Sequence, residues 1–175
     1  MTSKLFVNSL EPMQGNTINV AGSDTVLHAP GHVIQTVQGF SNTQANTNNS
    51  TDTEALTALR TSITPKSSTS KLLVMVSYHI VTVSNSSMAT AHLKRSTNGG
   101  SSFSNLSDYL QGTGNETHRN ALSTGYFGQH SQIILDSPST TSTCIYSLFM
   151  RTNGSNIRLN DNGAGTRIVI QEIAQ

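Results

Sequence analysis

Six histidines are the side chains of this chain best suited to chemistry near neutral pH, and their spacing decides whether they can act together. His28 and His32 stand four apart, the spacing that aligns two imidazoles on a helix, but Pro30 and Gly31 between them forbid that helix. No His-x-His pair projects two imidazoles from one strand face. A three-nitrogen site would then need one histidine from each of three copies around an axis, and solvent-facing or hydrogen-bonded histidines are the better reading. Asp136, His130 and a serine compose a triad only because a Ser-rich chain permits many. There is no Gly-x-Ser-x-Gly elbow, no phosphate-cradling loop, no His-Glu-x-x-His and no cysteine pair for zinc. Asp161-Asn162-Gly163 opens like a calcium loop but lacks the later acidic ligand, so it reads as a turn. The expectation is a protein with no catalytic residue, no metal and no cofactor.

Two further residues stand out. Cys144, the single cysteine, lies in the apolar run Cys144-Ile145-Tyr146-Ser147-Leu148-Phe149-Met150 and reads as a small buried apolar group rather than a nucleophile. Glu172 places a charge late in the apolar strand Arg167 to Ile173. Buried without a partner it would be costly, so either the strand end reaches the surface or Glu172 pairs with an arginine such as Arg151 or Arg158.

The chain that must position these groups has 175 residues, enough for one domain with its own core. Apolar residues make up 34% and charged residues 11%, while Ser, Thr and Asn supply more than a third. The apolar residues are concentrated in β-branched runs, which separates this composition from that of a disordered chain. A net charge of +1 and the absence of Trp argue against nucleic acid as a partner, and no window is apolar enough to span a membrane. The opening residues, MTSKLFVNSLEPM, lack the apolar core of a signal peptide, which points to maturation in a cytoplasm.

Periodicity predicts strands throughout. Leu72, Val74, Val76, Tyr78 and Ile80 recur at every second position, with Leu73, Met75 and His79 between them, so this strand is expected to be covered on both faces. Thr61 to Thr64 predicts a strand ending at Pro65, with a short helical turn over Glu54 to Arg60 as the alternative. Met88 to Arg95, Gln132 to Leu135, Cys144 to Arg151, Ile157 to Leu159 and Arg167 to Ile173 follow, with Asn160-Asp161-Asn162-Gly163 as a hairpin turn. Residues 41 to 53 read as an exposed loop. Residues 101 to 130 read as loop-rich, with Tyr109, Tyr126 and Phe127 available for receptor contact or for anchoring the loops. Residues 1 to 40 carry short apolar pairs divided by glycine and read as a separate β segment, ahead of a sandwich domain over 41 to 175. Its apolar residues Ile18, Val20, Val26, Leu27, Val33 and Ile34 are the candidates for assembly or anchoring. The fold class expected is all-β, an antiparallel jelly-roll-like β-sandwich.

Three passages resemble bacteriophage virion proteins of the tail-fibre and head-decoration kind. GNTINVAGSDTVLHAPGHVIQ is similar to their Gly-punctuated N-terminal segment, SITPKSSTSKLLVMV to the turn and long strand that open their head domain, and GTRIVIQEIAQ to their closing strand with its Glu-Ile pair. The resemblance implies a homotrimeric β-sandwich of the virion, made in the cytoplasm of a bacterial host and without enzyme activity. The N-terminal segment would hold neighbouring copies or other virion proteins of capsid or tail. At this length a short fibre, knob or capsid decoration fits better than a long shaft. The alternative is a tail-fibre tip that binds a host-surface glycan through residues 101 to 130. A polysaccharide-degrading enzyme would need paired carboxylates in a cleft, for which nine singly scattered acidic residues are a poor supply.

Overall fold

Alternating apolar residues build eleven strands among residues 30–83, 89–106, 126–153 and 156–175, which the computed structural model of the protein describes. They are β1 (Val33–Ser41), β2 (Ala45–Thr47), β3 (Thr53–Glu54), β4 (Thr61–Ile63), β5 (Lys71–Thr82), β6 (Ala89–Ser96), β7 (Ser104–Asn105), β8 (Tyr126–Asp136), β9 (Cys144–Thr152), β10 (Ile157–Leu159) and β11 (Thr166–Ile173). Every pairing among them is antiparallel. One sheet runs β1-β11-β5-β8 and the other β4-β9-β6-β7. Numbered as eight principal strands, these are first-eighth-third-sixth and second-seventh-fourth-fifth, the order of a jelly roll. The all-β antiparallel sandwich expected from the sequence is the fold observed.

The core fills the space between the sheets. From β5 come Leu72, Val74, Val76, Tyr78 and Ile80, all buried as the two-residue period requires. Facing them are Ala91 and Leu93 of β6, and Tyr146, Leu148 and Met150 of β9, with Ile168 and Ile170 of β11 beside them. Each large apolar side chain so enclosed contributes about 1.5–3 kcal/mol relative to exposure.

The odd-numbered residues of β5 behave differently from expectation. Leu73, Met75 and His79 are only half-buried and Ser77 is exposed, because a two-layer sandwich covers each strand on one face alone. Residues 41 to 53 also depart from the exposed loop expected of them. Ala45 and Thr47 are buried in β2 against β10, and β3 extends the edge of β9. Polar, short segments carry little local signal, and their pairing is decided by the neighbouring strand. Between Glu54 and Thr61 the chain makes a 3-10 turn (Thr57–Leu59), and β4 then ends before Pro65 as predicted.

The segment after β10 is not a hairpin. β10 and β11 both run antiparallel along the same side of β5, β10 opposite Ile80 to Thr82 and β11 opposite Lys71 to Ser77, so together they form one interrupted strand. Asn160 and Asn162 in the left-handed region, followed by Gly163, make the excursion, and Asn160 N–H donates to His79 O. β1 spans the domain boundary expected at residue 40: eight of its nine residues, all but Ile34 at the bulge, pair with β11 from Ile173 to Thr166.

Candidate functional site

Glu172 occupies the end of the first sheet, where β11, β5 and the loop before β5 converge. It is fully buried, contrary to the surface position expected, and its partners are not Arg151 or Arg158. The backbone N–H groups of Lys66 and Ser67 donate to Oε1 at 2.7 and 3.4 Å, and Gln35 Nε2 donates to Oε2 at 2.5 Å. Burial alone would raise this carboxyl's pKa. The Ser70 side chain, Gln35 and the two backbone donors outweigh it, so the group is held below the ordinary carboxylate value. Gln35 also donates to Thr64 O, tying β1 to the same loop.

The seam where β8 meets the second sheet is closed by another buried carboxylate. Asp136 at the end of β8 accepts from Arg95 of β6 and from the Tyr146 hydroxyl of β9 at 2.5 Å. Burial, then the neighbouring Asp136 charge, pushes the Tyr146 hydroxyl well above the usual phenol range, so it stays protonated and donates. Farther along the seam Gln132 Nε2 donates to Ala91 O at 3.3 Å, and the His130 ring stacks on Tyr78 at 5.5 Å. Asp136 is thus committed to a structural junction, and the triad imagined with His130 is not assembled.

On the outer face of the second sheet, Asp52 lies 3.2 Å from His92 Nε2, 2.6 Å from Lys94 Nζ and 3.9 Å from Arg151 Nε. Burial pushes the His92 pKa down to about 4; Asp52 opposes this, while Arg151 and Lys94 add to it. His92 is therefore neutral at pH 7. Beside this group Lys94 sits over the Phe149 ring, Phe149 meets Phe103 at 5.1 Å, and Arg60 covers Phe103. Arg60 also makes a two-pronged pair with Glu54 at 2.8 Å per arm. The Phe103 ring, in the region expected to contact a receptor, is half-buried between Arg60 and Phe149, as a loop anchor would be. Sequence reading missed this cluster because Asp52 lies in a segment without pattern. The only available signal was that His92 and Lys94 share one strand face.

The remaining sequence candidates are dispersed. Val33 is partly exposed opposite Ile173, and Ile34 lies at the β1 bulge, lining a small cavity with Lys66, Ser67, Ser70 and Ala174. Tyr126 and Phe127 open strand β8, in register with Thr82 and Val81, instead of lying in a loop. Ile18, Val20, Val26, Leu27, Tyr109 and His28 fall outside the described residues. Cys144 is a free, buried thiol whose pKa burial pushes up, in keeping with a packing role. Asp161 accepts from Gln44 at 2.8 Å and lies 3.6 Å from Arg158, closing the turn onto the β2 end. Among the described residues no three His, Cys, Asp or Glu side chains are grouped as a metal would require.

No protein-family model and no curated protein matches the chain. Among solved structures it is similar to three of infectious bursal disease virus. They are the VP2 subviral particle (13% identity, TM-score 0.41), the Gx strain (10%, 0.38) and the Gt strain (12%, 0.35). Each match covers 92% of this chain, and this chain spans less than half of each matched one, 43% to 46%.

Proposed function

We propose that this chain is a non-enzymatic structural protein of a bacteriophage virion, a short fibre or capsid decoration that assembles as a homotrimer. Its N-terminal segment holds it to the particle. The observation that supports this best is the joint at Glu172. Two of the passages that resemble phage virion proteins, SITPKSSTSKLLVMV and GTRIVIQEIAQ, meet there through the donors of Lys66 and Ser67. The motifs thus belong to one piece of architecture. At the same end Gly31 N–H donates to Ala174 O and Ala174 N–H donates to His32 O, both at 2.8 Å. Residues 30 to 32 therefore stand beside the last strand, a placement that suits attachment at one end of the sandwich with the other turned outward.

Antibody labelling of purified particles, paired with light scattering on the protein, tests the reading. Labelled particles and a mass of three chains are the expected results. A chain beginning at Pro30, which spares β1, should still fold by circular dichroism but fail to join the particle. Unlabelled particles, or cleavage of host polysaccharide by the purified chain, would overturn the virion reading.

A further inference from the structure

Beside the Glu172 joint the surface opens into a cavity of about 210 Å³. That is below the roughly 300 Å³ at which pockets for whole small ligands begin, and it suits a single inserted side chain. The loop before β5 supplies one wall through Lys66, Ser67, Thr69 and Ser70, and Ile34 and Ala174 supply an apolar one.

The polar wall is rich in donors. The Ser67 and Thr69 hydroxyls are 2.9 Å apart, and their mutual hydrogen bond uses one of their two protons, so the other can donate outward. Gln175, at the rim, spends one of its two amide N–H groups on Ala174 O at 2.9 Å. Lys66 is exposed and gives its backbone N–H to Glu172, while its ammonium makes no ion pair among the described residues. Lys71, which follows Ser70 and opens β5, is unpaired in the same sense and adds a second positive charge at this end.

No carboxylate among the described residues is left to neutralise these two lysines. Asp52 is held by His92 and Lys94, Glu54 by Arg60, Asp136 by Arg95 and Asp161 by Arg158. Glu172, the nearest, is buried and already met by Gln35, Ser70 and two backbone N–H groups. A donor-rich cavity under uncompensated positive charge is complementary to an acceptor that carries negative charge.

We infer that this cavity receives the side-chain carboxylate of an acidic segment on the particle protein to which the chain attaches. The carboxylate lies between the Lys66 ammonium and the spare hydroxyl proton, its methylene stem rests on Ile34 and Ala174, and Lys71 attracts the neighbouring acid. Gly31 and His32 bond to Ala174, one of the lining residues, so the attachment segment and the cavity address the same partner. The inference rests on the attachment in the proposed function and names the chemistry of its partner.

Fluorescence anisotropy of the full chain with a short labelled peptide of alternating Glu and Gly tests it. The peptide should bind, its Gln and Gly counterpart should bind at least about 10-fold more weakly, and about 0.5 M salt should weaken the first and not the second. Lys66→Gln with Lys71→Gln should lose about 10-fold in affinity and should fail to join the particle. Asn46→Glu with Ser131→Glu makes the same change in net charge at exposed positions away from the cavity and should do neither. Both double variants should keep the wild-type circular dichroism. Equal binding of the two peptides, or equal losses in the two double variants, would overturn the site. Displacement of the peptide by an equal concentration of inorganic phosphate would make it a small-anion site and overturn the acidic segment. If the peptide binds as expected but purified particles carry no label for this chain, the virion reading fails and the partner named here fails with it, while the carboxylate site stands.

Discussion

The backbone N–H of Lys66 donates to the Glu172 carboxylate at 2.7 Å, joining positions 106 residues apart. It closes the first sheet where β1, β11 and the loop before β5 meet. The acceptor is a buried charge, and Lys66 and Ser67 of the loop donate to it through backbone N–H groups, with the Gln35 amide of β1 as a further donor, so the loop's part in the joint depends on its shape. That explains how a polar, turn-forming passage and a charged position in an apolar strand belong to one fold.

Removing the acceptor should therefore be expensive. Glu172→Ala leaves the part-buried N–H groups of Lys66 and Ser67 and the Gln35 amide without their partner and should cost about 2–4 kcal/mol in urea unfolding. The carboxyl's pKa is lowered on folding from its ordinary 4.5, so the unfolded chain takes up the proton first as pH falls. This stabilisation is complete above the unfolded value and is lost as pH drops through the folded one. Below pH 4.5 the wild-type chain should lose stability faster than Glu172→Gln. Parallel slopes would remove the carboxylate from the account.

His92 acts in a different window. Its pKa falls from 6.5 to about 4 on folding, so between those values the unfolded chain binds a proton that the native state refuses. Stability should fall as pH drops from 6.5 to 4, by up to about 1.4 kcal/mol per unit and on the order of 3 kcal/mol in all. His92→Gln, facing the same Asp52, Lys94 and Arg151, should flatten that decline in denaturant titrations. An unchanged decline would assign it to other groups.

Much of this fold is legible in the sequence where one face of a strand is buried. β5, β6, β9 and β11 declare themselves through alternation, and Thr61 to Ile63 through the proline that follows. β2 is illegible because Ala45, Asn46 and Thr47 are small or polar, and the burial of Ala45 and Thr47 comes with pairing to β10, more than a hundred residues away. Glu172 is visible as an anomaly, but its donors cannot be guessed, since every residue except proline offers a backbone N–H. The Asp52 cluster is hidden for a related reason: its members are single charges whose meeting is set by the sheet and by no local pattern.

Gly39 shows how tightly β1 passes the second sheet. A Cβ there would collide with Thr61 Oγ1, which donates to Leu59 O at 3.0 Å, and would sit 3.5 Å from that same carbonyl. Gly39→Ala should cost about 1–3 kcal/mol by overpacking. Adding Thr61→Ala removes the obstructing hydroxyl and should recover part of the loss. A double-mutant cycle with no coupling would mean that the strand shifts freely instead.

The β8 seam offers a sharper comparison, because two donors serve one buried carboxylate. Tyr146→Phe withdraws a neutral donor and leaves Asp136 paired with Arg95, so the loss should be about 1–3 kcal/mol. Arg95→Leu removes the only cation in contact with that carboxylate among the described residues. A buried charge left without its counter-charge costs about 3–5 kcal/mol, a large part of the stability of a domain this size. Urea unfolding at pH 7 should rank Arg95→Leu as the more damaging change. Equal losses would mean that the counter-charge of Arg95 adds nothing to the seam beyond what a single neutral donor supplies.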